Sequence, residues 1–382
     1  MKLMEYKGKE LLNKYNIDTQ KGVVIDSIEN IKDDISGLKP PFVIKVQIMA
    51  GGRGKAGGIK FADDLSSAIE VNKLLLGATV KGHVVKKLLI AEKVEVGSEW
   101  YMSIILDRSY KYPMIIFSPI GGIDIEETAK DSPGKIIKIP INPFLGVRDY
   151  ISRYIFNQYK LPREYYGSFN LILSNLYKLF CEYDCTLVEI NPLVITSDKK
   201  LIAVDCKMDI DDNSLFRHPD MASYRDSMEE NELIILARKY NFLYIPITNN
   251  GDIAVMSNGS GMIMSCIDLI TKNKMKVGAA LDLGGGATSD RISEAIKIIF
   301  SNKKISSLFI SVFGGITRCD EVANGVKGAI DSNLSDKFLV IRIEGTNKEI
   351  GLQILKNIGS NVLSVNSISE GVKALNGRRH LK

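Results

Sequence analysis

From residue 252 onward the chain alternates short apolar runs with stretches of helical period, and this pattern leaves few folds open. "DIAVMSNG" precedes "MIMSCIDLITKNK", "GAALDLGG" precedes "SDRISEAIKIIFSN", and "ISSLFISVFGG" precedes "CDEVANGVKGAIDSN". "FLVIRIEG" then precedes "NKEIGLQILKNIG", and "NVLSV" precedes "SISEGVKALNG". Continuous apolar strands between amphipathic helices predict a parallel sheet covered on both faces, a doubly wound, flavodoxin-like α/β domain. Ligands of such a domain lie at the carboxyl ends of the strands. There the sequence collects glycine and polar residues: "NGSG" at 258–261, "LGGGATS" at 283–289, "FGGITR" at 313–318 and "EGTN" at 344–347. Any one of these is an ordinary tight turn, but four together predict a crevice for an extended phosphorylated ligand facing helix N-termini.

The first half has a different grammar. A helix around "EYKGKELLNKY" precedes strands at "GVVI", "PFVIKVQIM" and "GIKFA", and a helix at "DLSSAIEVNKLLL". Longer alternating runs follow, with "EWYMSIILDRS" and "KYPMIIFS" as a hairpin, two helical stretches between 147 and 182, and the hairpin "TLVEINPLVITSDKKLIAVDCKMDI". Mixed and antiparallel sheets with inserted helices are α+β construction. At 382 residues the chain exceeds one ordinary core. The expected division is residues 1–238 and 239–382, where "ARKYNFLYIPITNNG" passes from helix to strand.

Chemistry concentrates in "AGGRGKAGG" at 50–58. Glycine lets backbone N–H groups converge on phosphate oxygens, and Arg53 and Lys55 supply charge. The P-loop pattern is excluded, because Met49 stands five residues before Gly54 and Ala56 follows Lys55. Gly52, Gly54 and Gly57 satisfy GxGxxG, yet "GIKFADD" after them is strand-like, so the dinucleotide fingerprint lacks its helix. The loop is expected to join two antiparallel strands as a lid over a nucleotide, with Lys45 pointing in from the preceding strand. Glu189 and Asn191, two apart on one arm of the later hairpin, share a face, and Asp205 returns beside them on the other arm. Asn191 and Asp205 offer hard oxygens of the type Mg²⁺ accepts; a structural hydrogen-bond network is the alternative.

Other classes are disfavoured. A net charge of +5 is spread without a basic run, which suits small polyanions better than nucleic acid. The five cysteines, Cys181, Cys185, Cys206, Cys266 and Cys319, have no CxxC spacing and fit reduced thiols. The start "MKLMEYKGKELLNKYNI" has no apolar core of a leader and no stretch is long enough for a bilayer span, so a cytoplasmic, soluble protein is expected, with no membrane partner.

Taken together, "KVQIMAGGRGKAGGIK", "VEINPLVIT", "VDCKMDIDDNSLFRHPDM", "LDLGGGAT" and "FGGITRCDEVANG" resemble the β subunits of succinyl-CoA synthetases, ATP-grasp proteins. The resemblance runs in order along nearly the whole chain. It implies an N-terminal ATP-grasp domain before the flavodoxin-like CoA-ligase domain, and residue roles as follows. Lys45, Gly52, Arg53 and Gly54 match nucleotide-binding positions, Ala91 and Val94 fall on the hinge contacts to the nucleotide, and Glu99 matches a nucleotide-contacting acid. Asn191 and Asp205 match the Mg²⁺ ligands, and Glu189 an acid that contacts a phosphohistidine. Asn258, Gly315, Ile316 and Thr317 match residues lining the substrate and phosphate end of the second domain. The chain departs from the family at Ala91–Glu92, where a pair of acids is usual, and at Thr317, usually valine. Gln20 stands where many ATP-using relatives have proline and some GTP-using ones glutamine, so ATP and GTP both stay open.

Thioester formation needs an activated carboxylate, and in this family the phosphoryl group travels through a histidine. His83, His218 and His380 all fall in settings that do not raise nucleophilicity. The resemblance implies that the histidine belongs to an α subunit, which also binds most of the CoA, in an αβ or α₂β₂ complex acting on succinate. The rival readings are a malate–CoA or citrate–CoA ligase subunit, with the Thr317 hydroxyl favouring a hydroxylated acid; a nicotinamide oxidoreductase; and a non-catalytic scaffold.

Overall fold

The computed structural model describes residues 1–123, 125–228, 231–330, 334 and 336–379. His380 lies outside them. Two compact units divide the chain, Met1–Ala222 and Ser223–Lys382. The division falls earlier than the expected 238/239, for a physical reason: Ala237, on helix Glu232–Lys239, is fully buried in the core of the second unit, with Leu233, Ile234 and Leu236 packed against it.

Among its described residues the first unit holds two larger antiparallel sheets and a two-stranded ribbon, Thr79–Val80 with His83–Val84. In one, Gly22–Ile25, Leu88–Glu92, Phe42–Val46 and Ile59–Ala62 lie side by side in that order. Helix Leu65–Leu75 covers one face, started by a capping box in which Asp64 accepts from Ser67 N–H. In the other, the order is Leu201–Ala203, Cys185–Thr196, Val96–Asp107, Tyr112–Ser118 and Ile137–Pro140, and Cys206–Ile210 also pairs with Cys185–Thr196. Helices Asp149–Tyr159 and Tyr166–Glu182 fall where the periodicity placed them. Phe169 on the longer helix is fully buried and meets Trp100 edge-on, with Phe117, Phe156 and Tyr165 around the same indole. Such aromatic clusters combine large apolar burial with favourable edge-to-face contacts.

In the second unit the sheet order is Leu243–Pro246, Val277–Asp282, Ile253–Ser257, Ser307–Gly314, Phe338–Gly345 and Val362–Ser364. The last five are parallel and run in the flavodoxin order, second strand outside the first. The direction of winding therefore reverses between Ile253–Ser257 and Ser307–Gly314. Leu243–Pro246, not separately expected, pairs antiparallel on the outer side of Val277–Asp282. Helices Ser289–Ser301, Cys319–Ile330 and Lys348–Lys356 bury their apolar stripes on one face, and Ser260–Lys272 with Ile368–Arg379 cover the other.

Candidate functional site

Every residue of Phe42–Val46 is buried, so the strand carries Lys45 into the interior. A buried ammonium needs partners. Lys45 Nζ lies 2.9 Å from Glu5 Oε1 and donates to Val204 O at 2.8 Å. The glycine loop does join two antiparallel strands, Phe42–Val46 and Ile59–Ala62. Gly52 and Gly57 take φ of +66° and +75°, and Gly58 N–H returns to Arg53 O at 2.9 Å, so the loop closes on its own arginine. The guanidinium turns inward: Nη2 reaches Glu5 Oε2 at 2.9 Å and Asp205 Oδ1 at 3.3 Å, and Nη1 donates to Val46 O at 3.1 Å. Lys9 Nζ closes the cluster 2.8 Å from Glu5 Oε1. Burial alone would push the Glu5 carboxyl up, but Lys9, Lys45 and Arg53 together hold it far below the usual carboxylate range.

Asn191 and Asp205 face each other across the hairpin, with Asn191 N–H on Asp205 O at 3.4 Å. Val188 and Ile190 are fully buried while Glu189 and Asn191 are half-buried, which fits the shared face expected for the polar pair. Asn191 Oδ1 accepts Gly122 N–H at 2.8 Å and its amide donates to Ile123 O at 3.0 Å. Asp205 Oδ1 also accepts Cys206 N–H at 2.7 Å. Glu189 receives the Tyr101 hydroxyl at 3.3 Å, and the same hydroxyl contacts Ser103 Oγ at 3.0 Å. Burial pushes the Glu189 carboxyl above its ordinary range, against the pull of Lys207 and Tyr101.

Glu99 joins this group through the backbone, its carbonyl accepting Gly121 N–H at 2.8 Å. Ala91 is fully buried mid-sheet, between Gly22 and Val43, and Val94 lies between the two sheets, after Leu88–Glu92 and before Val96–Asp107. The Glu92 carboxylate accepts Lys39 N–H at 3.0 Å, while its carbonyl accepts from the Gln20 amide. Lys45, Arg53, Asp205 and Asn191 are thus linked by direct contacts or through Glu5, Glu99 joins Asn191 through Gly121 and Gly122, and Glu189 stands two residues before Asn191 on the same strand. Sequence reasoning missed Glu5, Tyr101 and Gly122. The paired glycines of "SPIGGID" were a usable signal for the last; Glu5 looked like an ordinary acid in a helix's first turn.

In the second unit, Asn258 follows Ile253–Ser257 and bridges to the neighbouring strand, donating to Phe313 O at 2.9 Å and accepting Phe313 N–H at 3.1 Å. Gly315 is exposed and Ile316 is 85% exposed, whereas Thr317 is buried. Its Oγ1 accepts Gly286 N–H at 3.0 Å. The hydroxyl expected to favour a hydroxylated acid is therefore turned inward, where it ties two glycine loops together. The helix after this loop starts at Cys319, whose N–H goes to Thr346 O at 2.9 Å. Its first-turn acids are engaged too, Asp320 with Arg318 and Glu321 with Ser289 N–H.

Neither described histidine touches these groups. His83 lies in an exposed two-residue strand. His218 Nε2 meets Asp184 Oδ2 at 2.7 Å and stacks on Tyr183, with ring centroids 5.4 Å apart.

A glycine flap and inward lysine on an antiparallel sheet, followed along the chain by a flavodoxin-like unit with asparagine and a Gly–Ile–Thr loop at its switch point, define the class of ATP-grasp acyl-CoA ligase subunits. The family described as ATP-grasp domain matches residues 2–195, and the one described as CoA-ligase matches 256–374. The succinate–CoA ligase [ADP-forming] subunit beta of Bacillus subtilis is 39% identical over 383 residues, covering 98% of this chain and 99% of that one. Subunit beta 2 of the same enzyme in Archaeoglobus fulgidus is 39% identical over 376 residues, 98% of each chain. The chain belongs to the succinate–CoA ligase β-subunit family. The structure of ATP citrate lyase from Methanothrix soehngenii, in complex with citrate and coenzyme A, shares the fold, with a TM-score of 0.79 at 18% identity over 98% of this chain and 99% of that one. Among the described residues no helix is long and apolar enough to cross a membrane.

Proposed function

We propose that this chain binds Mg-nucleotide in its first unit and passes the γ-phosphoryl group to a histidine of a separate α subunit, coupling nucleotide turnover to interconversion of succinate and succinyl-CoA. The observation that carries the reading is the convergence of Lys45 and Arg53 on one buried acid, beside the oxygens of Asp205 and Asn191. Lys45 and Arg53 hold positive charge where the transferred group spreads its negative charge over three oxygens. Gly52 and Gly54 keep the flap's backbone open to the phosphates, and Ala91, Val94 and Glu99 border the base and ribose. Glu189, held by Tyr101, accepts from the partner's imidazole during transfer.

Asn191 and Asp205 would hold Mg²⁺. Two hard oxygens suit an ion that keeps several waters and the nucleotide's phosphates as its other ligands, and Asp205, pushed up by burial and by the charge of Glu5, is a carboxylate that a dication would relieve. When bound, the metal neutralises charge on the phosphates during transfer. Asn258, Gly315, Ile316 and the main chain of Thr317, whose hydroxyl is turned inward, take the carboxylate and phosphoryl end of the second unit, and CoA is bound mainly by the partner. The relatives are ADP-forming succinate–CoA ligase subunits by name, which favours ATP over GTP and succinate over malate or citrate.

The test is co-purification with the α subunit followed by assays with each nucleotide and each acid. Alone, the chain should bind Mg-ATP without ligase turnover; with its partner, label from γ-labelled ATP should appear on a partner histidine. Ligase turnover by the isolated chain, or label on His218, would overturn the proposal.

A further inference from the structure

Glu5 is the buried acid on which Lys45 and Arg53 converge, yet the scheme above gives it no role of its own. Its side chain is fully buried, and each carboxylate oxygen has its own client: Oε1 takes Lys45 at 2.9 Å and Lys9 at 2.8 Å, and Oε2 takes Arg53 at 2.9 Å. Two of these cations are the ones assigned to the triphosphate. They come from different places, Lys45 from a strand and Arg53 from the glycine-rich loop that follows it. Glu5 comes from a third element, the first turn of helix Glu5–Lys14, which is anchored by fully buried Leu12.

Counting donors shows what the arrangement does. Lys45 has three ammonium hydrogens; Glu5 and Val204 O take two, which leaves one. Arg53 has five; Glu5, Asp205 and Val46 O take three, which fixes the plane of the guanidinium and leaves two. A long cationic side chain loses rotamer entropy on binding an anion, and that loss is avoided when the side chain is already held.

We propose that Glu5 is a positioning residue of the nucleotide site: it fixes Lys45 and Arg53 so that their remaining hydrogens converge on the triphosphate. The inference rests on the nucleotide reading above and goes beyond it, because it makes affinity depend on a residue that does not touch the ligand. Glu5 stays in place when nucleotide binds; it is not a stand-in that the phosphates displace.

Titration of the full-length chain with Mg-ATP tests this. Glu5→Gln keeps the shape and removes the charge, and should weaken binding about tenfold or more. Glu5→Asp keeps the charge and should recover part of the loss. In a cycle with Lys45→Met the double variant should bind within about threefold of Lys45→Met alone, since Glu5 acts partly through that lysine. Phe169→Ala, which destabilises the aromatic core of the same unit without touching Glu5 or the cations, should lower the melting temperature at least as much as Glu5→Gln while leaving affinity within about twofold. Glu5→Gln binding as tightly as wild type or tighter, fully additive effects, or an equal loss in Phe169→Ala would overturn the inference alone. A wild-type chain that takes up no Mg-ATP would overturn the nucleotide reading as well.

Discussion

Thr317 Oγ1 and Gly286 N–H meet at 3.0 Å, so the loop after strand Ser307–Gly314 is fastened to the loop after Val277–Asp282. Replacing the threonine by valine keeps the shape and leaves a part-buried amide without its partner. Thr317→Val should lower the stability of the second unit by about 1–3 kcal/mol, and Thr317→Ser should restore most of it. Because the hydroxyl is turned inward, the ratio of succinate to malate turnover in the complex should stay the same; a shift toward either acid would place the hydroxyl at the substrate instead.

Gly122 has φ of +73°, and a Cβ there would stand 2.3 Å from Glu99 Oε2. Gly122→Ala therefore combines backbone strain with a clash against an acid expected to contact nucleotide. It should displace Glu99, disturb the Gly122–Asn191 hydrogen bond and weaken Mg-nucleotide binding about tenfold or more, measured by titration. The same change at Gly134, which has open space around it, should have no effect on affinity.

Phe169 is central to the aromatic cluster around Trp100. Phe169→Ala should cost about 3–5 kcal/mol. Trp100 is the chain's single tryptophan, so its fluorescence reports the first unit alone. The fluorescence transition should move to lower denaturant in this variant; an unmoved transition would contradict the packing.

Cys185, Cys206, Cys266 and Cys319 are buried and Cys181 is exposed. Burial pushes the thiols of Cys181, Cys185, Cys206 and Cys319 up, and that of Cys266 up to about 11, so acidity does not separate the five and access to the reagent does. Iodoacetamide should add one group to the native chain, at Cys181, and five after denaturation, counted by mass spectrometry.

What the sequence revealed was what local pattern can encode. The apolar runs after residue 252 became the parallel sheet because unbroken hydrophobic strands have one stable use, burial on both faces. The hairpin brought Asn191 to Asp205 because period two fixes faces and the "SDKK" turn fixes register. Glu5 escaped notice because its partners Lys45 and Arg53 lie 40 and 48 residues away, and a helix's first turn is where acids ordinarily sit in solvent. The place of helix Glu232–Lys239 in the second unit's core was not legible for a similar reason: its apolar stripe does not say which sheet it will cover.

The rims of the second unit's sheet are both short. Leu243–Pro246 has four residues and ends on a proline with no amide hydrogen to offer, and Val362–Ser364 has three. A foreign strand arriving at either margin finds only a few free rungs, so a sheet with so apolar an interior stays guarded against fibrous self-association while the chain is still without a partner.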